Sequence, residues 1–549
     1  MKLLKGTYIT PLVIVILGIL LLIPFAGKVH LFDWDEIIFA ESAREMLISG
    51  DYLTVTINYE PFYEKPPMFI WFQVLSMKLF GINEFAARFP NAICGILTLL
   101  TLFFAGKKIK DQNFGKFWAL SFGTAILPFF YFRTGIIDPW FNLFIFLGIL
   151  FFIFYLLKDQ YTRRVFNLTL SAIFLGLAVL TKGPVAILIV GLSFLTYLVI
   201  VRGKITTSFY HVLLFVSVFL LVGGSWFVVA ILKGNFEVVK DFIHYQAGLF
   251  SDDFAGHSGF PGFHIVILLF GVFPASVFLF AGITRKKEDS QPVQTFRIWM
   301  YILLILILVL FSIVETKLVH YSSMAYYPIS FLAGWALYQW SGRRIEFRKW
   351  QLILLGMIGF IFLLITTLIP WIMTDPQRFI SSFPAVITPY VEGVLMSEVN
   401  WTVLDYLPAL LLLVGMLLSL IWLNKRDSKG LYVIHVVILL FTFTSMILFA
   451  PKVEKMIQGP AIAFMQDHSG PDEDVAALGF PSFAPYFYGK WMPGDLDHED
   501  KADWFADGNR KVPIYVVMKA DNAPKVLDRY PMLERIGEEG GFVFGKYDP

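Results

Sequence analysis

The sequence predicts a polytopic α-helical membrane protein of about 13 transmembrane helices, with a small α/β domain at its C-terminus. Three observations support this fold class. The 549 residues are 57% hydrophobic and only 16% charged, whereas soluble domains carry about 25% charged residues. Apolar runs of about 20 residues, the length that crosses a bilayer, recur along residues 1–450. The Lys and Arg residues between these runs are concentrated in every second loop, which is typical of membrane topology.

The predicted spans are separated by short polar breaks. They cover residues 8–26, 87–106, 114–132, 138–157, 166–181, 184–201, 209–232, 263–283, 297–315, 322–340, 350–373, 404–423 and 431–450. No clear cleavage site follows the first run, so we interpret it as a span and not as a signal peptide. The single cysteine, Cys94, excludes an internal disulfide framework and a Cys-based zinc finger.

Loop charge gives the orientation. With the N-terminus in the cytoplasm, the cytoplasmic segments hold 21 Lys and Arg residues and the opposite loops hold 10. Positive residues favour the cytoplasmic side, so residues 27–86 and 451–549 are expected outside. The net charge of +2 gives no indication of a nucleic-acid partner.

The chain divides into a transmembrane domain, residues 1–450, and a soluble external domain, residues 451–549. The second region is polar and rich in turns. Short β-prone runs bounded by turn residues predict strands within 474–480, 512–519 and 540–547, and the segment 522–536 is predicted to be partly helical.

The first outer loop, residues 27–86, is too long to be a simple connection. Apolar residues recur within 36–49, before Gly50, which predicts an amphipathic helix along the membrane surface. Asp33 or Asp35 would begin this helix. Asp35 is therefore interpretable as an N-cap, with Asp33 and Glu36 forming a capping box, or as a reactive group.

Other ionisable residues fall on the same side. Glu64 and Lys65 precede two prolines, which restrict the backbone, and a rigidly held Lys suits a phosphate group. The alternative is a lysine that snorkels to lipid headgroups. Arg133 and Asp138 flank a break between spans, where they pair with each other or serve a function. Lys182 lies at a similar turn and has the same two interpretations.

Two more outer segments contain imidazoles. Residues 233–262 include His244 and His257 with several carboxylates, but their spacing matches no strong metal signature. A lone loop histidine is more often structural or exposed. The segment 315–321 joins two spans on the same side and contributes Lys317, His320 and Tyr321.

Two stretches carry a family resemblance: DEIIFAESAREMLISGDYLTVTINYEPFYEKPPMFIW (35–71) and LFGINEFAARFP (79–90). They resemble membrane glycosyltransferases of the GT-C fold, in particular bacterial lipid A aminoarabinose transferases and protein O-mannosyltransferases. The resemblance implies a polyprenyl-phosphate sugar donor, inverting transfer, and a lipid A or envelope-protein acceptor. It also implies a multi-pass protein of the bacterial inner membrane with a periplasmic active site.

The resemblance assigns roles to individual residues. Asp35 matches the catalytic residue of the first loop and Asp138 the second acidic residue, while Lys65 matches a ligand of the lipid phosphate. Relatives associate Glu64 and His257 with a divalent metal ion; no nucleotide cofactor is implied. Binding of the donor is expected to involve further residues of this side: Glu36, Arg133, Lys182, Lys317, His320 and Tyr321. One departure is Ile38, where aminoarabinose transferases usually have Arg, so the donor sugar stays open.

Two other functional classes are compatible with a multi-pass chain. A transporter would place ionisable or helix-breaking residues near the bilayer midplane and show internal symmetry. Here the charges lie at span ends and the two halves do not match. A non-catalytic lipid-binding protein would leave Asp35 outside any polar cavity.

Overall fold

The computed structural model describes residues 2–62, 64–157, 163–205, 207–248, 259–283, 290–492 and 512–548. Its first half is helical, with one two-stranded ribbon, β1 (Thr56–Ile57) and β2 (Glu60–Pro61), in the first outer loop. The helices up to the middle of the chain are α1 (Lys2–Leu22), α2 (Asp35–Ser49), α3 (Met68–Phe80), α4 (Glu84–Ile109), α5 (Gln112–Gly123), α6 (Ile126–Tyr131), α7 (Asp138–Leu156), α8 (Arg164–Lys182), α9 (Val185–Ile200), α10 (Phe209–Gly223), α11 (Ser225–Leu232), α12 (Phe236–Gly248), α13 (Phe263–Gly271) and α14 (Ala275–Gly282).

The second half continues with long apolar helices and ends in a mixed α/β region. A 3₁₀ segment, Val319–Ala325, leads into α16, and another, Val403–Tyr406, leads into α20. The helices are α15 (Gln291–Ile313), α16 (Tyr326–Ser341), α17 (Lys349–Thr374), α18 (Pro376–Ser382), α19 (Pro389–Leu395), α20 (Leu407–Asn424), α21 (Lys429–Leu448), α22 (Ala450–Ile457), α23 (Gly459–Asp467), α24 (Ala484–Tyr488) and α25 (Ala523–Arg529).

Each of the predicted spans coincides with a helix or a broken pair of helices. By length and composition, seven described helices could cross a membrane, or up to nine if two bent pairs each form one span. The bent pairs are α10 with α11, at 52°, and α13 with α14, at 101°. The other predicted spans are short or interrupted: the apolar part of α1, the pair α5 and α6, α9, and α16. The multi-pass fold class is confirmed, and among the described residues six of the thirteen predicted spans are bent, short or interrupted.

Antiparallel pairing of α7 with α8 positions the candidate site. The N-terminus of α7 and the C-terminus of α8 meet at one end of the bundle. Beneath them, large aromatic side chains form the buried core, including Trp118, Phe146, Tyr327 and Phe331. The rings of Phe146 and Tyr327 stack with centroids 4.5 Å apart. Such interdigitated packing gives the helix ends a rigid base.

The C-terminal region contains a four-stranded sheet of order β3-β4-β6-β5. Strands β3 (Asp474–Leu478) and β4 (Ile514–Lys519) are parallel, and β6 (Phe542–Tyr547) pairs antiparallel with both β4 and β5 (Glu534–Glu539). The three predicted strands are confirmed. The predicted helix covers only α25; its last residues form β5 because a tight turn at Gly540-Gly541, both with positive φ, returns the chain as a hairpin.

The C-terminal region docks directly on α2. The Arg44 guanidinium donates to the Trp491 carbonyl at 2.6 Å, and the Leu31 amide donates to the Tyr488 hydroxyl at 2.6 Å. Residues 36–46 are consequently all buried. The helix predicted along the membrane surface is present, but the C-terminal region covers it, which the sequence did not predict. These contacts also place the loop 27–86 and the C-terminal sheet on the same side of the bundle.

Candidate active site

Asp35 is the first residue of α2, but it does not cap the helix. The capping position is Trp34, whose φ of 74° is left-handed, and its side chain makes no capping hydrogen bond. Asp33 Oδ1 instead accepts from the amides of Trp34, at 2.8 Å, and Phe483, at 2.9 Å. The capping interpretation of Asp35 and the proposed capping box were therefore wrong. Strained backbone of this kind is concentrated at functional sites.

The Asp35 side chain is 41% exposed and its Oδ2 lies 3.7 Å from His320 Nε2. His320 belongs to the 3₁₀ segment before α16 and is largely enclosed. Burial lowers the pKa of His320 below its usual value, although Asp138 and Asp35 act in the opposite direction. The imidazole is therefore neutral at pH 7, where it can exchange a proton or a hydrogen bond with the Asp35 carboxylate.

Glu36 is a structural neighbour of Asp35. Its carboxylate receives two hydrogen bonds from Arg88, at 2.9 and 2.7 Å, and others from the amides of Phe32, at 3.0 Å, and Gly135. Burial favours the neutral carboxyl, but Arg88 and the backbone amides outweigh it and hold the pKa of Glu36 below its usual value. Both carboxylate oxygens of Glu36 are thus bonded within the protein, and its expected role in substrate binding stays a prediction. Glu36 fixes α2 against α4 and the loop before α7.

Asp138 and Lys182 form the second half of the site. Asp138 begins α7 and is 3% exposed, while Lys182 ends α8, and their Nζ–Oδ1 distance is 2.7 Å. Arg133, which the sequence allowed as a partner of Asp138, instead bonds to carbonyls at the end of α1. The other oxygen, Asp138 Oδ2, is buried without a hydrogen-bond partner. Lys182 Nζ also lies 5.6 Å from the centre of the Tyr321 ring.

Lys65 is held at the edge of this cluster. Its Nζ lies 3.3 Å from Glu64 Oε2, with the two side chains 17% and 37% exposed, and 5.8 Å from the Tyr245 ring centre. The Gln246 side chain donates to the Glu64 carbonyl at 3.1 Å, which anchors this segment to α12. Lys65 also interacts electrostatically with Asp138 and His320, so it belongs to the same site.

Two tyrosines complete the wall. Burial, followed by the charges of Asp138, Asp35 and Glu64, raises the pKa of Tyr321 to about 12. Burial and the Glu64 carboxylate also raise the pKa of Tyr245. Both phenols therefore remain protonated and can donate hydrogen bonds. The sequence did not predict Tyr245, because a phenol in a polar loop carries no signal of its own; the preceding imidazole, His244, is exposed.

Two predicted cations are not brought to these carboxylates. Lys317 donates to the carbonyls of Phe311 and Ser312, both at 2.9 Å, and to that of Val314, so its ammonium caps the C-terminal end of α15. Arg133 donates to the carbonyls of Leu21 and Pro24 at the end of α1. Both charges thus lie at helix-end carbonyls and away from Asp35 and Asp138, and their contribution to donor binding stays a prediction.

The metal expectation involves Glu64 and His257. His257 lies outside the described residues. In the described part of the chain, no group of three or more His, Cys, Asp or Glu side chains has the arrangement of a metal site, and Glu64 is engaged with Lys65. The described residues therefore do not by themselves form a fitting set of metal ligands.

The assembled site pairs carboxylates with cations at the ends of helices. Asp35 is accessible and next to a neutral imidazole, whereas Asp138 is buried and neutralised by Lys182. Lys65 and Lys182 supply two positive charges, and the two phenols supply neutral donors. This arrangement can remove a proton from a hydroxyl group and stabilise negative charge on a departing anion.

Comparison with solved structures identifies the fold. The crystal structure of ArnT from Cupriavidus metallidurans bound to undecaprenyl phosphate superposes with a TM-score of 0.78 over 97% of both chains, at 20% sequence identity. The apo structure of the same protein gives 0.78 over 99% of this chain. The chain has the GT-C fold of the aminoarabinose transferases. The predicted resemblance is confirmed.

Sequence comparisons agree. Residues 64–226 match the family model described as dolichyl-phosphate-mannose-protein mannosyltransferase. An uncharacterized protein of Aquifex aeolicus is 29% identical over 53% of this chain and 64% of its own length. The undecaprenyl phosphate-α-4-amino-4-deoxy-L-arabinose arabinosyl transferase of Pectobacterium atrosepticum is 25% identical over 59% of this chain and 58% of its own length. The chain thus spans about three fifths of the curated relatives it matches.

Proposed function

We propose that this protein is an inverting glycosyltransferase that transfers a sugar from a polyprenyl-phosphate donor to an acceptor at the outer face of a bacterial inner membrane. The observation that carries this proposal is the grouping of Asp35, His320 and the Asp138–Lys182 pair at one end of the bundle, with Lys65 beside them. The names of the relatives support the donor class.

In the proposed reaction Asp35 accepts the proton of an acceptor hydroxyl. The acceptor oxygen attacks the anomeric carbon from the face opposite the phosphate, and the bond from this carbon to the phosphate oxygen breaks. The leaving polyprenyl phosphate takes the electron pair of that bond. Lys65 and Lys182 stabilise the resulting anion, with hydrogen bonds from Tyr245 and Tyr321. General-base help of this kind contributes about 10²–10⁴ in rate.

A neighbouring cavity suits the lipid chain of the donor. A cavity of about 320 Å³, walled almost entirely by apolar side chains of α7 to α10 and by Trp299, reaches α7 at Gly148. Gly148 lies ten residues along α7 from Asp138, which is about 15 Å of helix. A phosphate at the helix end and an apolar tail along α7 match the shape of a polyprenyl phosphate. Lipid A and an envelope protein remain the acceptors we propose.

Asp35→Asn tests the proposal. Asn is nearly isosteric with Asp and Asp35 makes no capping bond, so the variant is expected to fold and insert normally. Without a base, turnover is expected to fall by at least about 10², measured by mass spectrometry of lipid A and envelope proteins from cells producing either form. Glu60→Gln, at an exposed carboxylate of the same loop, is the matched control. Near-normal turnover of Asp35→Asn would contradict the proposed base.

A further inference from the structure

A cavity distinct from the Asp35 site lies between the outer ends of α1 and α21. Its volume is about 250 Å³. Three cations contribute to its wall: Lys28, Arg88 and Arg133. The loop that begins at Arg133 ends at Asp138, so this cavity and the Asp138–Lys182 pair lie at opposite ends of one short segment.

The charge of this cavity is unbalanced. Arg88 is neutralised by Glu36, at 2.7 Å. Arg133 is 6% exposed and, among the described residues, forms no ion pair with a carboxylate; its guanidinium donates to the carbonyls of Leu21 and Pro24. Its Nε is buried without a hydrogen-bond partner. A buried guanidinium is costly unless it is paired with an anion.

Two further features favour an anionic ligand in this cavity. Burial and the nearby charge of Arg88 lower the pKa of Arg133 to about 10, which is the effect expected of a cation without a counter-charge. Lys28 is exposed at the rim, with its Nζ 4.7 Å from the centre of the Phe25 ring, and it forms no ion pair within the described part of the chain. Both cations are therefore available to one ligand.

The rest of the wall is apolar. Phe25, Phe130, Met446 and Ile447 line the cavity, and Phe25 is 43% exposed beside Lys28. The outer ends of two spans form this region, so the rim lies at the level of lipid headgroups. A small soluble anion would use the cations but not the apolar wall. An amphiphile with an anionic head would use both.

We infer that this cavity binds the phosphate group of a membrane lipid, separately from the phosphate of the sugar donor. Arg133 and Lys28 contact the phosphate, and the acyl chains follow the apolar wall toward the bilayer. The lipid is an anionic phospholipid of the membrane or a phosphorylated glycolipid acceptor, which share this headgroup chemistry.

Binding of a short lipid phosphate tests the inference without requiring turnover. Dioctanoyl phosphatidic acid is titrated against the purified full-length protein in detergent, and its Kd is measured by microscale thermophoresis. A Lys65→Gln background weakens the donor site, so failure of the proposed reaction does not affect the result. In that background Lys28→Gln is expected to weaken binding roughly tenfold and Arg133→Gln by at least as much, because charge-assisted contacts are lost.

Matched controls decide the outcome. Lys233→Gln, at an exposed outer lysine, is expected to leave the affinity unchanged, and dioctanoylglycerol, which lacks the phosphate, is expected to bind much more weakly.

Because Arg133 also caps α1, the exposed Lys28 is the decisive position. Unchanged affinity of Lys28→Gln would overturn the inference, as would dioctanoylglycerol binding as tightly as the phosphatidic acid. Equal affinity for inorganic phosphate would overturn the assignment to a lipid. Competition by purified lipid A, compared with phosphatidylglycerol, separates the two lipid sources.

Discussion

At the scale of single residues, accessibility separates the two carboxylates of the site. Asp35 is 41% exposed and lies beside an imidazole, whereas Asp138 is buried and neutralised by an ammonium. A base must reach the proton that it removes, so Asp35 is suited to that role. Asp138 instead fixes Lys182 and sets the electrostatic environment. We therefore propose different tasks for the two acidic residues, both of which the sequence predicted to be catalytic.

Lys65→Ala is predicted to weaken binding of the donor phosphate. Proline restricts the residue before it, and Lys65 Nζ is held between Glu64 and Tyr245, so little ordering is needed on binding. Loss of one charge-assisted contact is expected to raise the Kd for a short polyprenyl phosphate by roughly one to two decades. Lys65→Arg is expected to restore phosphate binding only in part, because the planar guanidinium of Arg differs in shape from the compact ammonium of Lys. Lys233→Ala is the control, and uncharged polyprenol is the control ligand. If Lys65→Ala binds the phosphate as tightly as the parent, Lys65 is a snorkelling residue.

At the scale of secondary-structure elements, helix ends position most of the chemistry. Asp35 and Asp138 begin helices, and Lys182 ends one. Their meeting point depends on Glu36, which connects α2 to Arg88 of α4 and to the Gly135 amide. Helix termini also explain why two of the predicted cations lie away from these carboxylates. Arg133 and Lys317 both lie where a helix leaves carbonyls without partners.

Lys317→Met is predicted to destabilise the protein without affecting the donor site. The Met side chain keeps the apolar stem but removes three hydrogen bonds to the end of α15. A hydrogen bond that involves a charged group contributes about 1.5–3 kcal/mol, so a lower Tm in detergent is expected, together with an unchanged Kd for polyprenyl phosphate. A selective loss of phosphate affinity at normal Tm would instead assign Lys317 to the donor site.

Sequence reasoning grouped the candidate residues on one side of the membrane but did not predict how they pair. Hydropathy and loop charge placed Asp35, Lys65, Asp138, Lys182 and His320 on one side because these signals are local in the sequence. The ion pair between Asp138 and Lys182 depends on the packing of α7 against α8. The adjacent charge at Arg133 therefore gave the wrong partner. Burial of α2 was missed for a related reason, because the region that covers it lies more than 400 residues later in the chain.

At the scale of the whole molecule, the contact between α2 and the C-terminal region contains a buried titratable cluster. Glu45 is 0% exposed, and burial followed by the charge of Glu41 raises its pKa to about 8. Its carboxyl accepts hydrogen bonds from Thr56 and from the Tyr59 amide, at 2.5 and 3.0 Å. The Arg44 guanidinium forms an ion pair with Glu41, at 2.6 Å, and so does not neutralise the Glu45 carboxylate.

Glu45 makes the free energy of unfolding depend on pH. The folded state holds the Glu45 proton up to about pH 8, while the unfolded chain releases it near the usual value of 4.5. The contribution of this group is therefore complete below pH 4.5 and is lost as the pH rises toward 8. Glu45→Gln is predicted to remove that loss, so the Tm of the variant relative to the parent should increase between pH 5 and pH 8. A difference in Tm that does not change with pH would show that Glu45 does not titrate in this way.

The orientation of the whole molecule in the membrane is testable by cysteine labelling. The loop 27–86 and the C-terminal sheet contact each other, so they must face the same compartment, and the loop-charge bias places that compartment outside. In a Cys94→Ala background, Ser49→Cys and Asp548→Cys are expected to react with an impermeant maleimide added to spheroplasts. Arg344→Cys, which is also exposed in the structure, should react only after the membrane is permeabilised, because it lies in the positive loop between α16 and α17. The native Cys94 is buried, so replacing it removes background labelling without changing the protein surface. Labelling at position 344 in intact spheroplasts would reverse the topology and place the Asp35 site in the cytoplasm.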